Sequence, residues 1–261
     1  MQADTQTVID EQALAAILDQ AAMNAREIDR ISLAHPIDLD AAYRIQALNI
    51  GRRLARGERL VGMKMGFTSV AKMRQMGVAE SIWGRLTDAM EVGSGGELAF
   101  SRYVHPRAEP EIAFRLKHAL SGEVSRDEAL AAIETVAPAI EIIDSRYRDF
   151  KFTLVDVVAD NSSSSSFVLG EWRSPPDLAD LKVSLEIDGE VVQSGSTAAI
   201  LDDPVQSLVA AARLAHAGGD PLQAGWIVLA GAATEAVALK PGMRVRAVVE
   251  QLGAAAFTVT L

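Results

Sequence analysis

Residues 104–116 read VHPRAEPEIAFRL. Glu109 and Glu111 stand two apart at the head of the apolar run Ile112, Ala113 and Phe114. In an extended chain, residues i and i+2 project from one face. Read as a strand, this stretch therefore puts two carboxylates into one small volume, where they repel and are costly to bury. Local packing gives no reward for that, whereas a cation between them would. A second apolar run, AIEIIDS at 139–145, carries Glu141 in the same manner. Three such carboxylates converging would make a hard, oxygen-rich site suited to Mg²⁺ or Mn²⁺. The other reading leaves them as strand-end glutamates in water or paired with Arg107 and Arg146, and the spacing alone does not decide.

Outward from this stretch the pattern is helical at the N-terminus and β-rich afterwards. Residues 10–30 carry Leu14, Ile17, Leu18 and Ala21 at helical spacing. After Pro36, residues 38–58 read as a second helix, with Asp38 or Asp40 to cap it and Gly57 to end it. Arg52, Arg53 and Arg56 fall in its last turns, where cations suit the helix dipole, with an anion site as the alternative. Residues 59–69 read as a strand and turn, and 69–78 as a short helix closed by Gly77. Ser125 and Glu128 form a capping box for a helix that Pro138 is expected to break before the 139–145 strand. Asp188-Gly189 is the clearest hairpin signal. Residues 204–219 read as a helix ended by glycines, and three further strands follow. This organisation is α+β: a helical segment over 1–70 and a β-rich catalytic domain over 71–261, or one continuous domain.

The chain has 261 residues, enough for a sizeable core, and a formal net charge of −10. That charge argues against a nucleic-acid surface but not against small anionic substrates, since a bound cation can dominate a pocket. There are no cysteines, which excludes disulfides, thiolate metal sites and cysteine nucleophiles. The N-terminus lacks the basic start and apolar core of a signal peptide, and no apolar run reaches membrane-spanning length. The expectation is a cytoplasmic protein without a membrane partner.

Two more stretches bear on chemistry. Lys64 lies among Val61, Met63, Met65 and Phe67, so it either snorkels to the surface or is desolvated and fit for proton transfer. Residues 156–170, DVVADNSSSSSFVLG, place Asp160, Asn161 and the serines in a turn between apolar segments expected to be strands. Such a turn can hold a substrate carboxylate or carbonyl, or can simply be capped. The four histidines show no metal-ligand spacing, and there is no P-loop, G-x-G-x-x-G or G-x-S-x-G motif.

Taken in order, LVGMKMGFTS (60–69), HPRAEPEIAF (105–114), PAIEIIDSRYRDFKF (138–152), DVVADNSSSSSFVLG (156–170), EVVQSGSTAAIL (190–201) and AGWIVLAGAA (224–233) resemble the hydratase/decarboxylase family of catechol meta-cleavage pathways. That family is related to fumarylacetoacetate hydrolase. The resemblance implies a fumarylacetoacetate-hydrolase-like mixed β-sheet roll with an N-terminal helical segment. It implies a divalent metal, Mg²⁺ or Mn²⁺, held by Glu109, Glu111 and Glu141. Lys64 would lie in the active site, and Ser163 and Asp160 would contact substrate. Ser162 departs from the alanine usual before the first serine. The implied reactions are decarboxylation of the dicarboxylate 2-oxo-3-hexenedioate and hydration of 2-hydroxypenta-2,4-dienoate. Residues 141–152 and 64–78 look closer to the decarboxylase branch. Ala79, followed by Glu80, stands where hydratase-like members carry an acid. Met63, Met65, Phe67 and Trp83 are candidates for an apolar wall around the leaving carboxylate. A homo-oligomer and a complex with the pathway hydratase are also implied.

Overall fold

The computed structural model describes residues 10–69, 73–74 and 80–261. The N-terminal periodicity becomes α1 (Glu11–Met23) and α2 (Leu39–Ala55). Asp10 and Asp38 cap them, their carboxylates accepting from the amides of Ala13 and Ala41 at 3.0 and 2.8 Å. The first helix stops well short of residue 30. Ala25 takes a φ of 46° and Ile28 forms a β-bridge with Tyr147, so a tertiary pairing overrides the local period. At the end of α2, Arg52 and Arg56 clamp Asp19 of α1 at 3.0 and 2.7 Å, and Arg53 pairs with Glu58 at 2.8 Å. Arg52 and Arg56 thus join the two helices, and Arg53 ties α2 to the chain that follows it, so their charges meet carboxylates of this chain rather than a separate anion.

The rest of the chain runs β1 (Leu60–Gly66), β2 (Ile82–Thr87), β3 (Glu91–Val92), β4 (Gly96–Ala99), β5 (Arg107–Leu116), α3 (Arg126–Ala132), β6 (Ile133–Ile143), α4 (Leu154–Ala159) and β7 (Ser164–Leu169). It continues through β8 (Lys182–Ile187), β9 (Glu190–Ser196), α5 (Pro204–Ala217), β10 (Ile227–Leu229), β11 (Val237–Ala238), β12 (Arg244–Val249) and β13 (Gly253–Thr260). One mixed sheet has the order β2-β1-β10-β5-β6-β7-β3, with β11 paired to β5, and a second has β4-β13-β12-β8-β9. The sheets share a core in which Ile140, Ile142 and Val168 meet Leu185, Val245 and Phe257. On the large sheet, Ile112 and Phe114 pack with Leu208 and Ala212 of α5. Another layer, α1, α2 and α4, closes around Tyr147. The architecture is α+β, as the sequence implies. Among the described residues no helix is long and apolar enough to cross a membrane.

Three local expectations need correction. The helix begun at Ser125 ends at Ala132, not at Pro138, which lies inside β6 opposite Ile112. The β-branched residues Ile133, Thr135 and Val136 favour the strand. The proline keeps a ladder contact through its carbonyl, which accepts from Gly170 N at 2.8 Å. The segment before the serine run is the short helix α4, not a strand. The last three serines of that run belong to β7, so the turn is shorter than its low-complexity appearance. The helix expected over 69–78 lies largely outside the described residues, as does Ala79.

Candidate active site

β5 and β6 are antiparallel neighbours, with Glu109 directly opposite Glu141 and Glu111 opposite Ala139. Opposed residues of such a pair have Cβ atoms about 4.5–5.5 Å apart. Glu109, Glu111 and Glu141 therefore meet on one face, each offering a carboxylate oxygen, and those oxygens lie within 4.8 Å of one another. Glu111 and Glu141 are fully buried. Glu111 Oε2 accepts from Gly231 N at 2.8 Å, and Glu141 Oε2 accepts from Lys64 Nζ at 3.1 Å. The second oxygen of each, Oε1, is buried without a partner. Gly231 has a φ of 113°, and a Cβ there would meet Thr68 Oγ1 at 2.1 Å, so only glycine delivers this amide.

Lys64 sits on β1, pairing in register with Leu229 of β10 and Gly84 of β2. It does not snorkel: it is 3 % exposed, and its ammonium pairs with Glu141 at the cavity wall. Arg146 is turned to Asp160 instead, at 2.6 Å. Three carboxylates concentrate negative charge on this face. Burial lifts the Glu111 carboxyl well above the usual range. The charges of Glu141 and Glu109 add to that lift, and Lys64 and the Gly231 amide oppose it. Two orphaned oxygens, an all-oxygen donor set and this charge fit one hard divalent cation.

Beside the cluster lies a cavity of about 440 Å³ whose wall includes Lys64, Glu109, Arg107, Ser162 and Ser163. Its apolar side includes Met65, Phe67, Ile143, Phe150, Phe152 and Val157. Met63 and Trp83 are elsewhere in the core, Trp83 stacked on Tyr43 at 5.2 Å. Neither side chain is part of the cavity wall. Two wall residues the sequence reading missed, Phe150 and Phe152, come from the loop after β6. Arg107 stacks over the Phe150 ring at 4.2 Å.

The serine turn contributes Ser162 and Ser163 to the same wall. Asn161, Ser162 and Ser163 all have positive φ, 51°, 51° and 61°. Such backbone costs roughly 1 kcal/mol or more per residue and persists only where surroundings impose it. Asn161 brackets Arg85, accepting from its N at 2.8 Å and donating to its O at 2.9 Å. Ser162 Oγ donates to Trp83 O at 2.7 Å. Gly84 makes room, since a Cβ there would stand 2.5 Å from Asn161 O. Ser163 Oγ, by contrast, is buried in the cavity wall with no partner. Asp160 does not reach the cavity: its carboxylate turns back to Arg146. Burial pushes that carboxyl up to about 6, against the pull of Arg146. Glu80 is on the surface in an ion pair with Arg213 and is absent from the described wall.

The chain belongs to the fumarylacetoacetate hydrolase family: the family described as Fumarylacetoacetate (FAA) hydrolase C-terminal matches residues 69–260. Within it, the chain is 53% identical over 248 residues to a 4-oxalocrotonate decarboxylase from Pseudomonas sp, covering 95% of this chain and 97% of that one. It is 39% identical over 230 residues, 86% of each chain, to a 2-keto-4-pentenoate hydratase from Paraburkholderia xenovorans (strain LB400). Among solved structures it resembles 4-oxalocrotonate decarboxylase from Pseudomonas putida G7 complexed with magnesium and adipate. The TM-score is 0.93 at 38% identity, covering 95% of this chain and 97% of that chain.

Proposed function

We propose that this protein is a Mg²⁺-dependent carboxy-lyase that converts 2-oxo-3-hexenedioate (4-oxalocrotonate) to 2-hydroxypenta-2,4-dienoate and CO2, as in meta-cleavage degradation of aromatics. The observation that carries this reading is the trio of half-buried Glu109 and buried Glu111 and Glu141, with two unspent oxygens, beside a half-apolar cavity. The likeness to decarboxylases, one of them solved with magnesium and a six-carbon diacid, supports the choice of substrate.

Glu109, Glu111 and Glu141 would hold Mg²⁺, with Mn²⁺ the alternative. When bound, the ion supplies Lewis-acid stabilisation of negative charge on the 2-oxo oxygen. This chain's residues do the rest. Lys64 fixes Glu141 and brings positive charge to the same oxygen, from where it can deliver a proton. Ser163 donates its free hydroxyl to the substrate's oxo acid end. The wall of Met65, Phe150, Phe152 and Val157 excludes water around the far carboxylate, which favours loss of CO2. The C5–C6 bond breaks, its electron pair moves through the C3–C4 double bond to the C2 oxygen, and protonation there gives the dienol. No organic cofactor is required, because the conjugated oxo group accepts the electrons. Asp160, though read from the sequence as a substrate contact, serves the turn instead.

We further infer a homo-oligomer and an association with the hydratase that consumes the reactive dienol. Co-elution of the two enzymes on a sizing column checks the association. The activity is tested by giving metal-stripped protein 2-oxo-3-hexenedioate, and separately 2-hydroxypenta-2,4-dienoate, with and without Mg²⁺. Mg²⁺-dependent CO2 release from the first is the expected result. Consumption of only the second, with water added, makes the protein a hydratase.

A further inference from the structure

We propose that Arg146 and Asp160 are a positioning pair, which fixes the left-handed turn 161–163 and thereby aims the Ser163 hydroxyl. This rests on the reading of Ser163 as a substrate contact. Neither residue of the pair touches the catalytic cavity. Both line a separate recess of about 640 Å³, together with Asn161 and Ser164, Ser165 and Ser166. Ser162 and Ser163 line the catalytic cavity instead. The turn is thus a partition, and the pair grips it from the side away from the chemistry.

The grip spans the whole turn. Arg146 Nε donates to Asp160 Oδ1 at 2.6 Å, and Nη2 donates to Asp160 O at 2.9 Å. The third nitrogen, Nη1, donates to Ser165 Oγ at 2.7 Å, beyond the turn. The Arg146 amide adds a bond to Asp160 Oδ2 at 3.1 Å. Asp160 O also accepts from Ser163 N at 3.0 Å, and Ser163 O accepts from Asp144 N at 2.8 Å. One planar guanidinium therefore holds both ends of a three-residue segment in which every φ is positive. Lysine, with a single point of charge, cannot reproduce three directed contacts. Arg146 itself follows β6, the strand that carries Glu141.

The test is a cycle with Arg146→Lys, Ser163→Ala and both together, assayed on 2-oxo-3-hexenedioate with Mg²⁺ bound. Mg²⁺ affinity is measured in parallel by calorimetry. Arg146→Lys is expected to lower kcat on the order of tenfold to a hundredfold, the penalty of a small misplacement. Mg²⁺ affinity should stay within about twofold, because the ligands are on β5 and β6 rather than the turn. In the S163A background the same change should cost about twofold or less. Equal losses in both backgrounds would overturn the proposal, as would a parallel fall in Mg²⁺ affinity or an unimpaired Ser163→Ala. If Arg146→Lys does not fold, Ser165→Ala removes one of the three contacts at a half-buried site. A smaller loss that again disappears with Ser163→Ala supports the pair, and an additive loss refutes it. A wild-type enzyme that binds Mg²⁺ but leaves the diacid intact refutes the assigned reaction, a result distinct from any outcome of the cycle.

Discussion

Replacing Lys64 by methionine separates two roles that turnover alone would merge. The side chain keeps its approximate length and loses its charge. Lys64 and Glu141 form an ion pair of 3.1 Å with side chains 4% and 0% exposed. Removing one partner of a buried pair costs about 3–5 kcal/mol, because the other charge is stranded. In the metal-free protein that corresponds to a fall in Tm of roughly 6–20 °C for a chain of this size. The cation site should respond in the opposite direction. Lys64 repels a divalent ion, and two unit charges about 5 Å apart interact by roughly 3 kcal/mol at an effective dielectric constant near 20. Its loss should therefore tighten Mg²⁺ binding by at least about tenfold, and saturating Mg²⁺ should restore much of the lost stability. Calorimetric titration and thermal melts with and without Mg²⁺ measure both effects, while decarboxylation should fall sharply. Weaker Mg²⁺ binding in the variant would refute the reasoning, because Lys64 would then be arranging the ligands rather than competing with the ion.

Other outcomes follow from the same structure. Glu111→Gln should abolish Mg²⁺ binding measurable by calorimetry, together with turnover, while far-UV circular dichroism stays unchanged. Gly84→Ala pushes a Cβ onto Asn161 O and should cost about 1–3 kcal/mol of stability and most of the activity. Its Mg²⁺ affinity should change little. Burial raises the Asp19 carboxyl, but Arg56 and Arg52 outweigh it and hold the carboxyl below its ordinary 3.8. A depressed pKa contributes stability that is complete above the unfolded value and lost as pH falls through the folded one. Asp19→Asn should therefore flatten the acid limb of a stability-versus-pH curve below about pH 4. Ser125→Ala removes a capping box remote from the cavity and should cost about 0.5–2 kcal/mol with turnover intact.

The convergence of Glu109, Glu111 and Glu141 was legible because it is a matter of strand geometry. Two glutamates at i and i+2 must share a face, and Glu141 needed only the right register to join them. Lys64 was legible as a residue but not as a partner, since which carboxylate it meets depends on the β1–β10–β5–β6 order. The aromatic wall was half missed: Phe150 and Phe152 arrive on a loop whose path no periodicity reveals. Asp160 was misread for a different reason. A polar residue beside a serine run looks ligand-facing, but the Asp160 carboxylate is drawn to the Arg146 guanidinium, on the side of the neighbouring recess. The α1 boundary failed where the Ile28–Tyr147 pairing outranked the local period, and the helix before Pro138 was drawn too long because the β-branched residues Ile133, Thr135 and Val136 were passed over.

The turn at 161–163 has a bearing on how this scaffold diversifies. On the proposed reading, the cation seat is built into paired strands, while the hydroxyl offered to substrate is delivered by a separate segment braced from the neighbouring recess. Substitutions in the brace can therefore re-aim one reagent while leaving the electrophilic centre untouched. On that reading, the same strands under the cation can serve more than one reaction of a 2-oxo acid. That is consistent with the likeness of one chain to both decarboxylases and hydratases.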